Sequence, residues 1–181
     1  MLFRSISDWF RSRYTFYLAQ SYRDSGKPEL SLERYLERAE QGFWEEEVFI
    51  SLYNAGNIMR QLGYPSEKIL QTYLKAYEKC PHRSESLYGA IQYCRFNGFN
   101  QQGYILGKHA IEIQIPQNSL FVESWVYNYG ILDEFSIVSF WAGHYQESKE
   151  ACEKLLNGGL MPQHYNERVK SNLQFAIDRL S

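Results

Sequence analysis

Apolar residues recur at helical spacing along almost the whole chain. Between Phe49 and Pro81, Leu52, Ala55, Gly56 and Met59 mark one amphipathic helix, and Ile69, Tyr73, Ala76 and Tyr77 mark a second. Gly63, Tyr64 and Pro65 interrupt the pattern. Glycine can take the left-handed conformation that closes a helix, and proline fits the first turn of the next one. Small residues at Ala55, Gly56 and Ala76 let the two helices approach closely, and Pro81 ends the pair. The same helix–turn–helix grammar stands on either side. Upstream, Tyr14, Phe16, Tyr17, Leu18 and Tyr22 precede a turn at Asp24–Pro28, and Leu30, Leu32, Tyr35, Leu36 and Ala39 follow it. Downstream, Leu87, Ala90, Ile91 and Cys94 lead to Asn97, Gly98 and Phe99, then to Ile105, Leu106, Ala110 and Ile113, with Pro116 as the stop. Gly103 and Gly107 sit inside that last helix, where glycine costs stability relative to alanine, so a close packing neighbour is expected there.

The two ends differ from the middle. Residues 2–11 place Leu2, Phe3, Ile6, Trp9 and Phe10 on one helical face. This predicts a helix covering the open end of the first repeat, with docking on a membrane surface or a partner as the alternative. Leu120 to Ala142 predicts a long helical stretch, one bent helix or two, with Gly130 inside it. Gly143, His144 and Tyr145 turn it into a shorter helix carrying Ala151, Leu155 and Leu156. Pro162 to Leu180 predicts a closing helix with Val169, Leu173, Ala176, Ile177 and Leu180 on one face and polar residues on the other, as a terminal cap requires. The turn glycines Gly26, Gly63, Gly98 and Gly143 recur at about the length of one helix pair, and the last interval holds the inserted helical segment. The expectation is an all-α, right-handed α-solenoid of about four helix pairs with capping helices at the ends. It forms a single domain over residues 1–181, with repeats near 12–42, 44–81, 83–116 and 119–159 and a cap at 162–180.

The glycine turns and the Tyr73, Ala76, Pro81 spacing resemble the tetratricopeptide (TPR) repeat, although the opening Trp of that pattern is absent from every repeat. Aligning the repeats on it exposes a second regularity. Phe16, Gln20 and Arg23 stand at i, i+4 and i+7; Tyr53, Asn57 and Arg60 take the same places in the second repeat, and Tyr88, Gln92 and Arg95 in the third. Residues so spaced share one helix face. In a TPR array these first-helix positions line the concave surface. Amides offer both a donor and an acceptor, arginine a planar fork for carboxylate or phosphate, and aromatic rings a rigid contact area. One reading is a groove for an extended ligand that is negatively charged or rich in polar groups. The other is structural, with arginines and amides bracing neighbouring helices. In the fourth unit Asp133, Ile137 and Phe140 fill the slots, and Asp133 or Glu134 could pair with Arg95.

Composition narrows the chemistry. The 181 residues are 44% hydrophobic and 17% aromatic, too apolar for a disordered chain, and the net charge of −2 provides no field for nucleic acid. No apolar run is long enough to span a membrane. Cys80, Cys94 and Cys152 lack metal-type spacing and read as reduced thiols in a cytosol-like compartment. Glu45, Glu46 and Glu47 complement the positive end of a helix dipole, and as consecutive helical residues they point apart rather than into one site. The four histidines are scattered and no Gly-rich phosphate loop occurs, so no catalytic residue, metal ligand or cofactor site is predicted. Trp125, Tyr127, Tyr129, Phe140 and Trp141 form an aromatic cluster read as core rather than as a sugar platform.

The runs YTFYLAQSYRDSG, WEEEVFISLY and LFVESWVYNYGILDEFSIVSFWAGHYQESKEACEKLL also resemble the helical region that follows the catalytic domain in some bacterial and viral family-2-type glycosyltransferases. That resemblance implies a role beside sugar transfer, without catalysis, for a free-standing relative or a fragment of a longer protein. The expected function is therefore binding. The leading partner is a protein or peptide segment, acidic if the arginines are free, and the alternative is a glycan or acceptor in a glycosyltransferase system.

Overall fold

Four turn glycines close four helices in the same way. Gly26, Gly63, Gly98 and Gly143 have φ of 70°, 71°, 75° and 87°. At each, the glycine N–H donates three residues back and the following N–H donates five residues back: Tyr64 to Met59, Lys27 to Tyr22, Phe99 to Cys94 and His144 to Ser139. This double closure satisfies carbonyls that the helix end leaves open. Arg23, Arg60 and Arg95 each stand three residues before the glycine, in the last turn of their helices, where a cation complements the helix dipole.

The computed structural model describes residues 6–181. They form α1 (Ile6–Asp24), α2 (Pro28–Gln41), α3 (Glu45–Gln61), α4 (Ser66–Lys79), α5 (Glu85–Phe96), α6 (Asn100–Ala110), α7 (Ile131–Trp141), α8 (Tyr145–Gly158) and α9 (Asn166–Asp178). A π-helical turn, Val126–Gly130, leads into α7, and a 3-10 turn, Gln163–Tyr165, precedes α9. No strand occurs among the described residues. Successive helices pack as antiparallel pairs, α1 with α2, α3 with α4, α5 with α6 and α7 with α8, and α9 lies on α8. The fold is an all-α solenoid of helix pairs.

Contacts divide the chain into two compact units. The first holds the described residues through Pro81 together with Asn118–Phe121; the second holds His82–Gln117 and Val122–Ser181. In the first, Phe16, Leu32, Tyr35, Phe49, Ile69 and Tyr73 are buried; in the second, Leu87, Ile91, Val126, Val138, Cys152 and Val169 are. Each unit also contains a buried ion pair. In the first, Arg38 Nη2 and Nε donate to Glu47 Oε2 at 2.9 and 3.1 Å, with both side chains fully buried, and Arg13 meets the other Glu47 oxygen. Burial and the nearby Arg13 charge lower the Arg38 pKa to about 10. In the second, Arg83 Nη2 donates to Glu85 Oε1 at 2.7 Å, and Tyr127 Oη donates to Glu85 Oε2 at 2.7 Å. The three glutamates of α3 do point apart. Glu45 is exposed, Glu46 accepts from Ser119 Oγ and Leu120 N, and Glu47 is interior.

Several expectations need correction. No separate covering helix precedes the first repeat among the described residues, because α1 runs unbroken from Ile6 to Asp24. Ile6, Trp9 and Phe10 therefore remain exposed, at 78%, 45% and 62%. Leu2 and Phe3 lie outside the described residues. The stretch expected from Leu120 becomes helical only at residue 124, since Phe121 takes φ of 50° and breaks the register. Leu180 lies beyond the end of α9 and is exposed rather than packed. The two internal glycines of α6 do have close neighbours. A Cβ at Gly103 would lie 3.0 Å from Val138 Cγ1, and one at Gly107 would lie 2.8 Å from Phe135 Cδ2. All three cysteines are buried thiols, and burial raises the Cys94 pKa to about 11.

Candidate ligand-binding cavity

The aromatic–amide–arginine pattern divides between the two units. In the first unit the aromatic members belong to the core. Phe16 is 1% exposed and sits edge-on to Tyr35; Tyr53 is 9% exposed and packs against Phe49 and Tyr73. Asn57 Oδ1 accepts from Tyr73 Oη at 2.7 Å. Arg23 is exposed and its Nη1 reaches Tyr35 Oη at 3.3 Å and Asn54 Oδ1 at 3.4 Å, while Nε pairs with Asp24. Gln20 and Arg60 are half-buried. Here Arg23 and Asn57 touch neighbouring helices.

The second unit is different, for a reason in α6. The eighth residue of α2 is Tyr35 and that of α4 is Tyr73, the rings that cover Phe16 and Tyr53. The eighth residue of α6 is Gly107, and Phe135 of α7 fills its place. Tyr88 meets the Trp125 ring. It lines a cavity of about 340 Å³ with Gln92 and Arg95, opposite Trp125 and Tyr129 at the π-helical turn, Asp133, Glu134 and Ile137 from α7, and Tyr165, Arg168 and Asn172 from the last helical segment.

One wall of this cavity is aromatic. Tyr88 meets Trp125 edge-on at 5.0 Å, Trp125 meets Tyr129 at 5.9 Å, and Tyr129 meets Tyr165 at 6.2 Å. Trp125 lies against Gly130, where a Cβ would come within 2.9 Å of the indole. The π-helical turn carries Tyr129 and begins directly after Trp125, and such turns tend to occur at functional sites. The other wall is charged but compensated. Arg95 Nε donates to Glu134 Oε2 at 2.5 Å, and Gln92 Nε2 donates to Tyr88 Oη at 2.9 Å and Glu134 Oε1 at 3.3 Å. Arg168 Nη2 donates to Asp133 Oδ2 at 2.8 Å, and its guanidinium lies over the Tyr165 ring. Burial alone would weaken the Arg168 charge, but the Asp133 hydrogen bond and its negative charge offset this and raise the pKa above the ordinary arginine value. Asp133 Oδ1 is buried and has no hydrogen-bond partner among the described residues. Two cations and two anions thus face one another, so the cavity combines stacking surface, donors and acceptors with no excess charge.

Of the nine residues picked from the sequence, the structure brings Tyr88, Gln92 and Arg95 to this cavity, and the other six belong to the first unit. Sequence reasoning missed Tyr165, Arg168 and Asn172, which come from far along the chain, and read Trp125 and Tyr129 as core. Both sit at the π-helical turn, Trp125 just before it and Tyr129 within it, and the sequence offers only Gly130 as a signal for that turn. The expected aromatic cluster also separates. Tyr127 turns inward to Glu85, and Phe140 and Trp141 pack at the other end of α7.

No family model matches this sequence, and no curated protein matches it either. Solved structures do match its fold. A double mutant of MamA from RS-1 aligns with a TM-score of 0.65 at 12% identity, covering 93% of this chain and 90% of that one. MamA 41-end from Desulfovibrio magneticus RS-1 aligns at 0.64 and 13%, with the same coverage. A Podospora anserina chain named for kinesin light chain and nearly identical TPR-like repeats aligns at 0.63 and 15%, covering 94% of this chain and 87% of that one. At these identities the likeness concerns architecture, and the architecture is that of a TPR-like α-solenoid.

Proposed function

We propose that this chain acts by binding, as an interaction module whose second unit takes a segment of a protein partner in the cavity between α5, α7 and α9. One observation carries this reading: Tyr88, Gln92 and Arg95 of the repeated pattern converge with Trp125, Tyr129 and Asn172 on one concave, partly aromatic space. A TPR-like solenoid is a common platform for such contacts. Because Arg95 and Arg168 already pair with Glu134 and Asp133, the cavity suits a polar, nearly neutral segment better than a strongly acidic one. An acidic ligand would have to displace a carboxylate from each arginine.

Placing a photo-crosslinking amino acid at Asn172, on the rim, tests the proposal. Irradiation in a lysate of the source cells should give a discrete protein adduct that fails to form when Trp125→Ala is also present. An adduct unaffected by Trp125→Ala, and formed equally from a crosslinker at exposed Glu67, would overturn it. The aromatic wall supports a second reading, an accessory glycan- or acceptor-binding domain in a glycosyltransferase system, because Trp and Tyr faces stack on sugar rings. That reading expects neutral oligosaccharides to change the Trp fluorescence, with little dependence on salt.

A further inference from the structure

The cavity does not end at α7. Two of its lining residues, Ile137 and Asn172, also line a second, smaller space of about 110 Å³ formed with Ser136, Phe140, Trp141, Ser148 and Phe175. The two spaces therefore adjoin across the Ile137–Asn172 saddle, within one unit. Their chemistry differs sharply. The larger one offers paired charges, amides and phenols. The smaller one is walled by Phe140, Trp141, Phe175 and Ile137, with Phe140 in ring contact with both Trp141 and Phe175.

The two serines of the smaller space add little polarity to it, because both hydroxyl protons are committed inward. Ser136 Oγ donates to the Asp133 carbonyl at 2.7 Å, and Ser148 Oγ donates to the Ser136 carbonyl at 2.7 Å. The notch is thus apolar in effect, with Trp141 66% and Phe175 58% exposed beside it. A sugar hydroxyl placed there would give up its water partners for little beyond the Asn172 amide at the edge, an unfavourable exchange. An aliphatic side chain would lose nothing. The volume sets its size, since a benzene ring occupies a cavity of about 150 Å³. This notch is smaller, so it suits one aliphatic side chain better than an aromatic one.

Resting on the binding role proposed above, we infer that the occupant is an extended polypeptide segment that seats one aliphatic side chain in the Phe140–Trp141–Phe175 notch. The residues beside it cross the saddle and lie along the Trp125–Tyr129 wall. The alternation of a polar trough and a dry notch is what a polypeptide offers and an oligosaccharide does not.

The test is selection of a random dodecapeptide phage library on the full chain, followed by affinity measurement with the synthetic consensus peptide. The expected result is a consensus with Leu, Ile, Val or Met at one fixed position. Replacing that residue by Ser should weaken binding at least tenfold. On the protein side, Trp141→Ala with Phe175→Ala should weaken it similarly, and circular dichroism should show the variant still helical because both rings are largely exposed. The peptide-side substitution keeps the test independent of that variant's folding. A consensus with no fixed aliphatic position, or peptide binding that responds to Trp125→Ala but not to loss of the notch, overturns this inference and leaves the binding role standing. Failure to enrich any peptide, with neutral oligosaccharides binding in a Trp125-dependent manner, overturns both.

Discussion

Gly56 shows how little room one residue can have. A Cβ there would lie 2.6 Å from Tyr73 Cε1 and 2.8 Å from Cδ1. Tyr73 cannot swing aside, because its ring is fully buried and its hydroxyl is bonded to Asn57. Gly56→Ala should cost about 1–3 kcal/mol, read as a lower urea midpoint, as overpacking generally does. Gly26 fails differently. Nothing lies within 4 Å of its built Cβ, but its φ is +70°. Gly26→Asn should be milder than Gly26→Ala, since Asn tolerates the left-handed region, whereas Gly56→Asn should be worse than Gly56→Ala. Buried neutral acids set a second residue-scale expectation. Burial raises Tyr35 from 10.0 to about 12 and Cys94 from 9.0 to about 11, and raises Tyr127 further. A raised pKa means that the folded state holds its proton longer than the unfolded one. That contribution to stability is complete below pH 9 and is lost as pH rises towards the folded values. The urea midpoint, measured with reductant, should fall between pH 9 and 12, and less steeply in Tyr35→Phe. A flat profile over that range would contradict the assignment.

At the scale of elements, the buried pair between α2 and α3 is the sharpest test. Glu47→Gln leaves Arg38 charged and interior without its carboxylate, and should cost about 3–5 kcal/mol in denaturant melts. The joint change Arg38→Met with Glu47→Leu removes both charges and should recover most of the loss, with the half-exposed Arg13 turning to solvent. If the joint variant is as unstable as Glu47→Gln, the pair contributes more than the cost of burying it. The elements themselves were legible in the sequence because helical periodicity and left-handed glycines are local signals. The burial of Glu47 was not. Glu45, Glu46 and Glu47 look alike in a local reading, and only the packing of α2 on α3 selects which one faces inward. The aromatic members of the repeated pattern went the same way. Phe16 and Tyr53 are covered by Tyr35 and Tyr73, whereas in the third repeat Gly107 stands where those tyrosines would be and Tyr88 meets Trp125.

For the whole molecule, the solenoid class was readable from repetition, and so was a third of the pattern that lines the cavity, Tyr88, Gln92 and Arg95. The opposite wall was not, since Tyr129 lies in a π-helical turn and Arg168 and Asn172 come from α9, at sequence separations that no periodicity reports. The division into two units was also hidden, because the repeats read alike across Pro81. It has an energetic consequence. Helix arrays owe their stability to neighbouring pairs and can open in sections. The pair Arg38–Glu47 belongs to the first unit, and Arg83, Glu85 and Tyr127 form a separate network in the second. Hydrogen exchange of Glu47→Gln, followed by mass spectrometry, should therefore show faster exchange in α1 to α4, while protection in α5 to α9 stays near that of the parent chain. The converse variant, Tyr127→Phe, removes a donor from buried Glu85 and should loosen α5 and the π-helical turn while sparing α1 to α4. Equal acceleration throughout in either variant would mean that the chain opens as one cooperative body. In that case the cavity, too, would respond to substitutions anywhere along the solenoid.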